Sequence, residues 1–419
     1  MNGTSRSVKP LTDLHGVTLP LIEPYLTNDD ISFDEFQQLI IGRKASASSY
    51  PLASSIAADL VPIYDCPSLR KQGLLTSNWT DPANLPLREE FISVLRSGPG
   101  VAIFKGAYDN LDELDESTKV LTELIEEQRA IDTKEREENY IVCDTGKKHV
   151  LKSPKAFVDY YKNDVVALAS GAWLGPWYQM TSQISQCIPG NKAQRMHRDY
   201  HMGSAVHNPV IHGDKVVESG SAALFPTHMH MAAHYLTLQG AIAHVDMPME
   251  SGPTKFLPYS NLYDAGYLAQ NVDQFKAFFE AHKVQVPLSK GDAVFFSPSI
   301  YHGAGNNSST SINRIANLLQ VSSAFGRSGD AEDRLSMCIA VYLELLARKK
   351  TGSLTEDETW NVISSTAEGY TFPSNNRFVH GRRSRSQAQE FWDLLVKEAD
   401  LEEVEAVLKE HERLIWAGY

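Results

Sequence analysis

Residues 290–303, Lys290-Gly291-Asp292-Ala293-Val294-Phe295-Phe296-Ser297-Pro298-Ser299-Ile300-Tyr301-His302-Gly303, read as turn, strand, turn and strand. Gly291-Asp292 reverses the chain, Ala293 to Phe296 is a short apolar run of the kind that forms a fully buried strand, and Tyr301-His302-Gly303 opens the next strand. Working outward, further strands are expected at about 101–104, 175–188, 195–200, 221–225, 235–246, 254–258, 284–286 and 313–322. Many short strands separated by Gly, Pro and Asn point to a sandwich or jelly roll with a mainly β core. Three- and four-residue apolar spacing predicts helices on both sides of it, at 31–43, 86–97, 109–139 and 154–169, then at 331–349, 355–366 and 386–415. The expected plan is one domain over 1–419: an N-terminal arm and helices over 1–170, a β core over 171–325 and C-terminal helices over 326–419.

With 42% hydrophobic and 22% charged residues the chain can bury a large core, and nothing in the balance suggests disorder. A net charge of -13 argues against nucleic acid and anionic membranes as partners, because both need clustered Lys and Arg. The short basic cluster Arg382, Arg383 and Arg385 is read as a solvated loop. Cys66, Cys143, Cys187 and Cys338 lack CxxC spacing, which disfavours structural zinc and a disulfide framework, and a reducing cytoplasm fits. No apolar run is long enough to span a bilayer.

Ten of the 14 histidines fall between 197 and 302, inside the β-rich region. In Met196-His197-Arg198-Asp199 the imidazole and carboxylate stand at i and i+2, so on an extended segment they leave one face together. His302, from a distant strand, completes a two-His-one-carboxylate facial triad, which leaves coordination positions open for a chelating ligand and O2. Arg314 follows twelve residues later, after the turn Asn306 to Ser311, on a strand able to return toward the metal. Its planar guanidinium suits a carboxylate held by two hydrogen bonds. A metal with open positions beside such an arginine is what a 2-oxo acid with a distal carboxylate requires.

Two other groups compete. His244-Val245-Asp246 is a second H-x-D, but it closes an apolar strand running into a Pro-rich turn, and Asp246 is read as an outer partner at most. His228, His230 and His234 mix strand and helix spacing, which is awkward for one metal, so they are read as loop or core histidines. The segment 200–220, rich in Gly, Asn and Pro, looks like a loop over the site. Trp173, Trp177 and Tyr178 are read as core residues.

The ordered set His197-Arg198-Asp199, Ser251-Gly252-Pro253-Thr254-Lys255-Phe256-Leu257-Pro258-Tyr259-Ser260, Gly291-Asp292, His302-Gly303-Ala304-Gly305-Asn306-Asn307-Ser308 and Arg314 resembles the phytanoyl-CoA dioxygenase family of 2-oxoglutarate-dependent oxygenases. The resemblance implies a double-stranded β-helix (cupin-like jelly roll), Fe(II), 2-oxoglutarate and O2 as requirements, and succinate and CO2 as co-products. It also suggests that Gln186, on the strand leading into the H-x-D, faces the co-substrate, and that Ser182, four residues earlier, points the same way. One departure stands in the segment Pro258-Tyr259-Ser260-Asn261, where the family carries Pro-Gly-Ser-His.

The expected activity is therefore hydroxylation of an unactivated C–H bond of a small molecule, with desaturation, epoxidation or ring formation open to the same oxidant. Halogenation is disfavoured because Asp199 takes the position a halide needs. A metal-retaining binding protein without activity and a zinc hydrolase are the rival classes, and neither has a use for Arg314. No basic run suits the phosphates of CoA, which favours a substrate that is not a CoA ester. The long terminal helices could shape the pocket or support a homodimer.

Overall fold

The computed structural model describes residues 24–132, 139–199, 221–372 and 385–416, together with short strands at 210–212, 215–217, 378–379 and 382–383. Thirteen strands are numbered in chain order: β1 Ser55–Ala57, β2 Val61–Asp65, β3 Val101–Lys105, β4 Tyr140–Val142, β5 Gln179–Cys187, β6 Val210–His212, β7 Lys215–Val217, β8 Thr237–Ala243, β9 Lys255–Leu257, β10 Val284–Gln285, β11 Ala293–Phe296, β12 Tyr301–Gly303 and β13 Arg314–Ser322. Eight form one large sheet in the order β1-β2-β3-β11-β8-β13-β5-β4, and β10-β9-β12 form a smaller one. β6 and β7 pair as a separate hairpin.

The two faces of the large sheet have different partners because side chains alternate along each strand. Ala102 and Phe104 of β3, Ala293 and Phe295 of β11, Leu238 and Ile242 of β8, and Leu319 and Val321 of β13 pack into the main core with the flanking helices. Phe91, Val94 and Leu95 of the helix Leu85–Arg96 are fully buried there, each Phe or Leu contributing about 1.5–3 kcal/mol by leaving water. The opposite face carries Ile103, Ala241, Val294 and Phe296, which meet Phe256 and Val284 of the small sheet and Val286 just beyond it. This is the jelly roll expected from the strand pattern, with the space between the sheets left for the site.

Asp292 shows why the opening stretch fixes the layout. Its buried carboxylate accepts from Ser289 N (2.7 Å), Gly106 N (2.9 Å) and Lys105 Nζ (2.6 Å), so one side chain closes the turn and ties the start of β11 to the end of β3.

Several elements differ from the expectation. Strands β1 to β4 belong to the large sheet, so the core draws on segments well before 171. β3 matches the apolar run expected at 101–104, while β1, β2 and β4 run three to five residues, too short for a clear alternation. The expected strand at 221–225 is a 3-10 turn, Ser221–Leu224, and 195–200 contributes only a bridge between His197 and His302. The helix expected at 154–169 is two, Pro154–Tyr161 and Asp164–Leu174, because Asn163 accepts from Val166 N (3.0 Å) and restarts the chain as an N-cap. In the same way 386–415 divides into Gln387–Val396 and Leu401–Trp416 at Glu398, whose φ is 55°. The helix Asp273–His282, which buries Phe275, Phe278 and Phe279 at helical spacing, is an addition to the expected plan. Residues 1–23 of the expected arm and most of the loop 200–220 lie outside the described residues. None of the described helices is long and apolar enough to cross a membrane. No disulfide joins any of the four cysteines among the described residues, and Arg385 pairs with Glu390 and Asp393.

Candidate metal centre

His197 and His302 face each other across an antiparallel bridge, with His197 N to His302 O at 3.0 Å and His302 N to His197 O at 3.1 Å. That bridge sets the two ring centroids 4.4 Å apart. Asp199, two residues on, directs Oδ2 to 3.3 Å from His302 Nε2 and 3.6 Å from His197 Nε2. One ligand atom from each residue lies within 4.8 Å of the others, the one such His, Cys or acidic cluster among the described residues.

Each ring is held in the tautomer a metal needs. His197 Nδ1 lies 2.9 Å from Arg195 O and His302 Nδ1 lies 2.9 Å from Ile300 O. A carbonyl only accepts, so both Nδ1 atoms carry the proton and both Nε2 lone pairs point at Asp199. Burial, and next the neighbouring His197, push His302 below its usual range and favour the neutral, ligating form. Burial would raise the Asp199 carboxyl, but His197 and His302 outweigh it and hold the group well below the ordinary carboxylate range. Three donors of this kind, none bonded to another through its backbone-facing atom, fit a divalent cation such as Fe(II).

The segment between the ligands is anchored from below. Arg198 points the other way from its neighbours and is 1% exposed. Its guanidinium donates to Ser260 O and to Tyr263 O (2.9 Å) and lies 5.2 and 5.0 Å from the ring centroids of Tyr267 and Tyr301. Arg198 N donates to Gln270 Oε1 (2.9 Å), and Tyr267 OH donates to Asp199 O (2.9 Å). Gly266 makes room for this arginine, since a Cβ there would sit 1.9 Å from Arg198 Cζ. Gly266→Ala is therefore expected to cost about 1–3 kcal/mol of stability through overpacking and to loosen the metal site. Thermal melting with and without Co(II) checks both effects; an alanine variant with unchanged melting and Co(II) affinity would remove the anchoring role.

His197, Asp199, His302 and Arg314 all line one cavity of about 240 Å³ between the sheets. Arg314, 7% exposed, opens β13. It donates to Ser251 O (3.0 Å) and to Asn139 Oδ1 (3.3 Å), and no ion pair ties it to a described carboxylate. Ser251 is placed by the turn at Gly252, whose φ is 72° and whose Cβ would strike Asn306 O at 2.1 Å. Burial pushes the Arg314 guanidinium below its usual range. A buried cation without a described counter-ion, facing a cavity, is arranged for an anionic ligand.

Gln186 and Ser182 are on the other face of the large sheet, which corrects their placement at the co-substrate. Ser182 Oγ accepts from Tyr161 OH (3.1 Å) among the helices, and Gln186 pairs in register with Ile315 and Tyr140, away from the cavity. The strand phase is shifted by one: Gln183 and Ser185 line the cavity, in register with Leu318 and Ala316. Cys187 stands opposite Arg314. The register of β13 against β5 would have given this phase once Arg314 was placed inward; the sequence of β5 alone, with polar residues on both faces, does not.

The rival groups go elsewhere. His244 is buried with Nδ1 2.8 Å from Thr118 Oγ1 and Nε2 3.2 Å from Tyr160 OH, and burial lowers it to about 3. Asp246 caps the turn at Lys290 N (2.8 Å) and touches no ligand. His234 Nδ1 meets Ser297 Oγ at 2.7 Å, His230 is buried and His228 is exposed. Trp173 Nε1 donates to His234 O (3.1 Å), Tyr178 is buried in the core, and Trp177 is exposed.

A jelly roll with two imidazoles and a carboxylate converging beside a buried arginine defines a non-haem metal oxygenase class of site. A model of the phytanoyl-CoA dioxygenase (PhyH) family matches residues 100–316, just over half of the chain, and the chain belongs to that family. The family uses Fe(II), 2-oxoglutarate and O2. Dioxygenase trt7 of Aspergillus terreus (strain NIH 2624 / FGSC A1156) is 26% identical over 140 residues, 33% of this chain and 39% of that protein. The alignment thus spans about two fifths of that relative. Among solved structures, the non-haem alpha-ketoglutarate-dependent carbocyclase SnoK from nogalamycin biosynthesis aligns at TM-score 0.41 and 18% identity, over 56% of this chain and 84% of its own. The epimerase SnoN of the same biosynthesis aligns at TM-score 0.39 and 18% identity, over 57% and 84%.

Proposed function

We propose that this chain is an Fe(II)- and 2-oxoglutarate-dependent oxygenase that oxidises, and by expectation hydroxylates, an unactivated C–H bond of a small molecule other than a CoA ester. Succinate and CO2 are the co-products. The observation that carries this reading is the convergence of His197, Asp199 and His302 on a cavity shared with Arg314, a buried guanidinium with no described carboxylate partner.

Bound together in this cavity, Fe(II) and 2-oxoglutarate supply the oxidising chemistry: O2 is consumed, the 2-oxo acid loses CO2 to become succinate, and an oxygen atom is delivered to the substrate. The chain's own residues do the rest. His197 and His302 present Nε2 lone pairs already oriented by their Nδ1 bonds, so no ring has to turn on binding. Asp199 supplies the negative charge that the metal neutralises. Arg314, fixed by Ser251 and Asn139, holds the far carboxylate of the co-substrate and sets which end faces the metal. Val294, Phe296, Phe256 and Leu318 wall the cavity and keep water from the reacting carbon.

Anaerobic addition of Fe(II) and 2-oxoglutarate to the folded apoprotein is expected to give the weak visible charge-transfer band of a chelated 2-oxo acid. Tight zinc binding without any such band would favour a hydrolase instead.

A further inference from the structure

Gln239 enters β8 on the cavity face, 4% exposed, and its amide is fully committed on one side. Nε2 donates to Asp199 Oδ2 (2.7 Å) and also lies 3.2 Å from Gln320 Oε1, its register partner on β13. A carboxylate accepts and never donates, so the nitrogen must face Asp199; Gln320 Oε1 takes the second N–H and keeps the amide from turning over. Oε1 of Gln239 is left buried without a partner, a cost of about 1–3 kcal/mol that a packing role alone gives no reason to bear.

The contacted atom matters. Asp199 Oδ2 is the oxygen that lies between the two Nε2 atoms. The Asp199 backbone is tethered through its N to Pro298 O (3.1 Å) and through its carbonyl to Tyr267 OH (2.9 Å), but those bonds leave the side-chain torsions free. The carboxylate is partly open to solvent, with a side-chain exposure of 40%. With both imidazole Nε2 atoms carrying lone pairs, Gln239 Nε2 is the one hydrogen-bond donor to this carboxylate among the described residues.

We infer that Gln239 is a positioning residue of the metal centre: with its amide locked by Gln320, it fixes the rotamer of Asp199 and so sets the affinity of the site for a divalent cation. This rests on the proposed metal site but not on the identity of the primary substrate.

The test uses Co(II) as the probe on the full-length apoprotein, titrated by calorimetry and by its visible d–d bands. Gln239→Met keeps the side-chain length and removes the donor; it is expected to weaken Co(II) binding by about 10- to 100-fold and to shift the bands, while melting of the apo form stays the same. Gln320→Met leaves Gln239 in place and frees its amide to turn; it is expected to weaken binding in the same direction by a smaller factor. Co(II) affinity of Gln239→Met within about twofold of the wild type, with an unchanged spectrum, overturns the inference. So does a loss that merely follows a matching loss of apo stability in both variants. A wild-type protein that takes no Co(II) overturns the metal site itself, and Gln239 with it, whereas wild-type binding with indifferent variants removes only Gln239.

Discussion

His302→Ala and His197→Ala are each expected to abolish succinate release from 2-oxoglutarate, while His244→Ala retains much of it. Either ligand change deletes one of three donors whose orientation the His197–His302 bridge and the Nδ1 bonds have set in advance. The loss should exceed the roughly 10- to 100-fold cost of removing an outer partner of a metal ligand. His244 is the stringent control because it carries the same H-x-D pattern and sits in the same domain. Its bonds run to Thr118 and Tyr160 on the helix-covered face, so its removal lowers thermal stability and leaves metal uptake in place. Succinate assays beside melting curves separate the two effects, and a His244 variant that folds but binds no metal would contradict the assignment.

Arg314→Ala is expected to raise the 2-oxoglutarate concentration needed for half-maximal turnover by a large factor. Truncating one partner of a buried, hydrogen-bonded charge pair costs about 2–5 kcal/mol, which corresponds to roughly 30- to several-thousand-fold. Fe(II) affinity in the absence of 2-oxoglutarate should change little, since Arg314 bonds to Ser251 and Asn139 and to none of the three ligands. Arg314→Lys keeps the charge but loses the planar fork and should recover only part of the effect. An alanine variant with wild-type dependence on 2-oxoglutarate would remove Arg314 from its proposed place.

Much of the site's layout was legible because its elements carry local signals. Ala293 to Phe296 is continuously apolar between turns, and all four residues are buried at the centre of the large sheet. His197 and Asp199 share a side because the segment is extended, and His302 and Arg314 stand at the starts of strands bounded by Gly and Asn turns. What was illegible depends on register between distant strands. Polar residues occupy both faces of β5, so its phase is invisible until β13 is paired with it, and Ser182 and Gln186 were assigned to the wrong side for that reason. Val101 to Phe104 announces β3 as an apolar run before Gly106, whereas β1, β2 and β4 are too short to announce themselves. Gln239 gave no signal either: a lone glutamine in the apolar run Thr237 to Ala243 acquires meaning only when Asp199 is folded against it. Nothing in the sequence marks Arg198, between two ligands, as one of the most deeply buried side chains of the described structure.

The most direct measurement is an anaerobic crystal structure with Fe(II) and 2-oxoglutarate, with anomalous scattering recorded at the iron edge. A single iron peak bonded to His197 Nε2, His302 Nε2 and an Asp199 oxygen, with the far carboxylate of 2-oxoglutarate on Arg314, is the predicted result. Iron bound at other histidines, or a co-substrate turned away from Arg314, would contradict it.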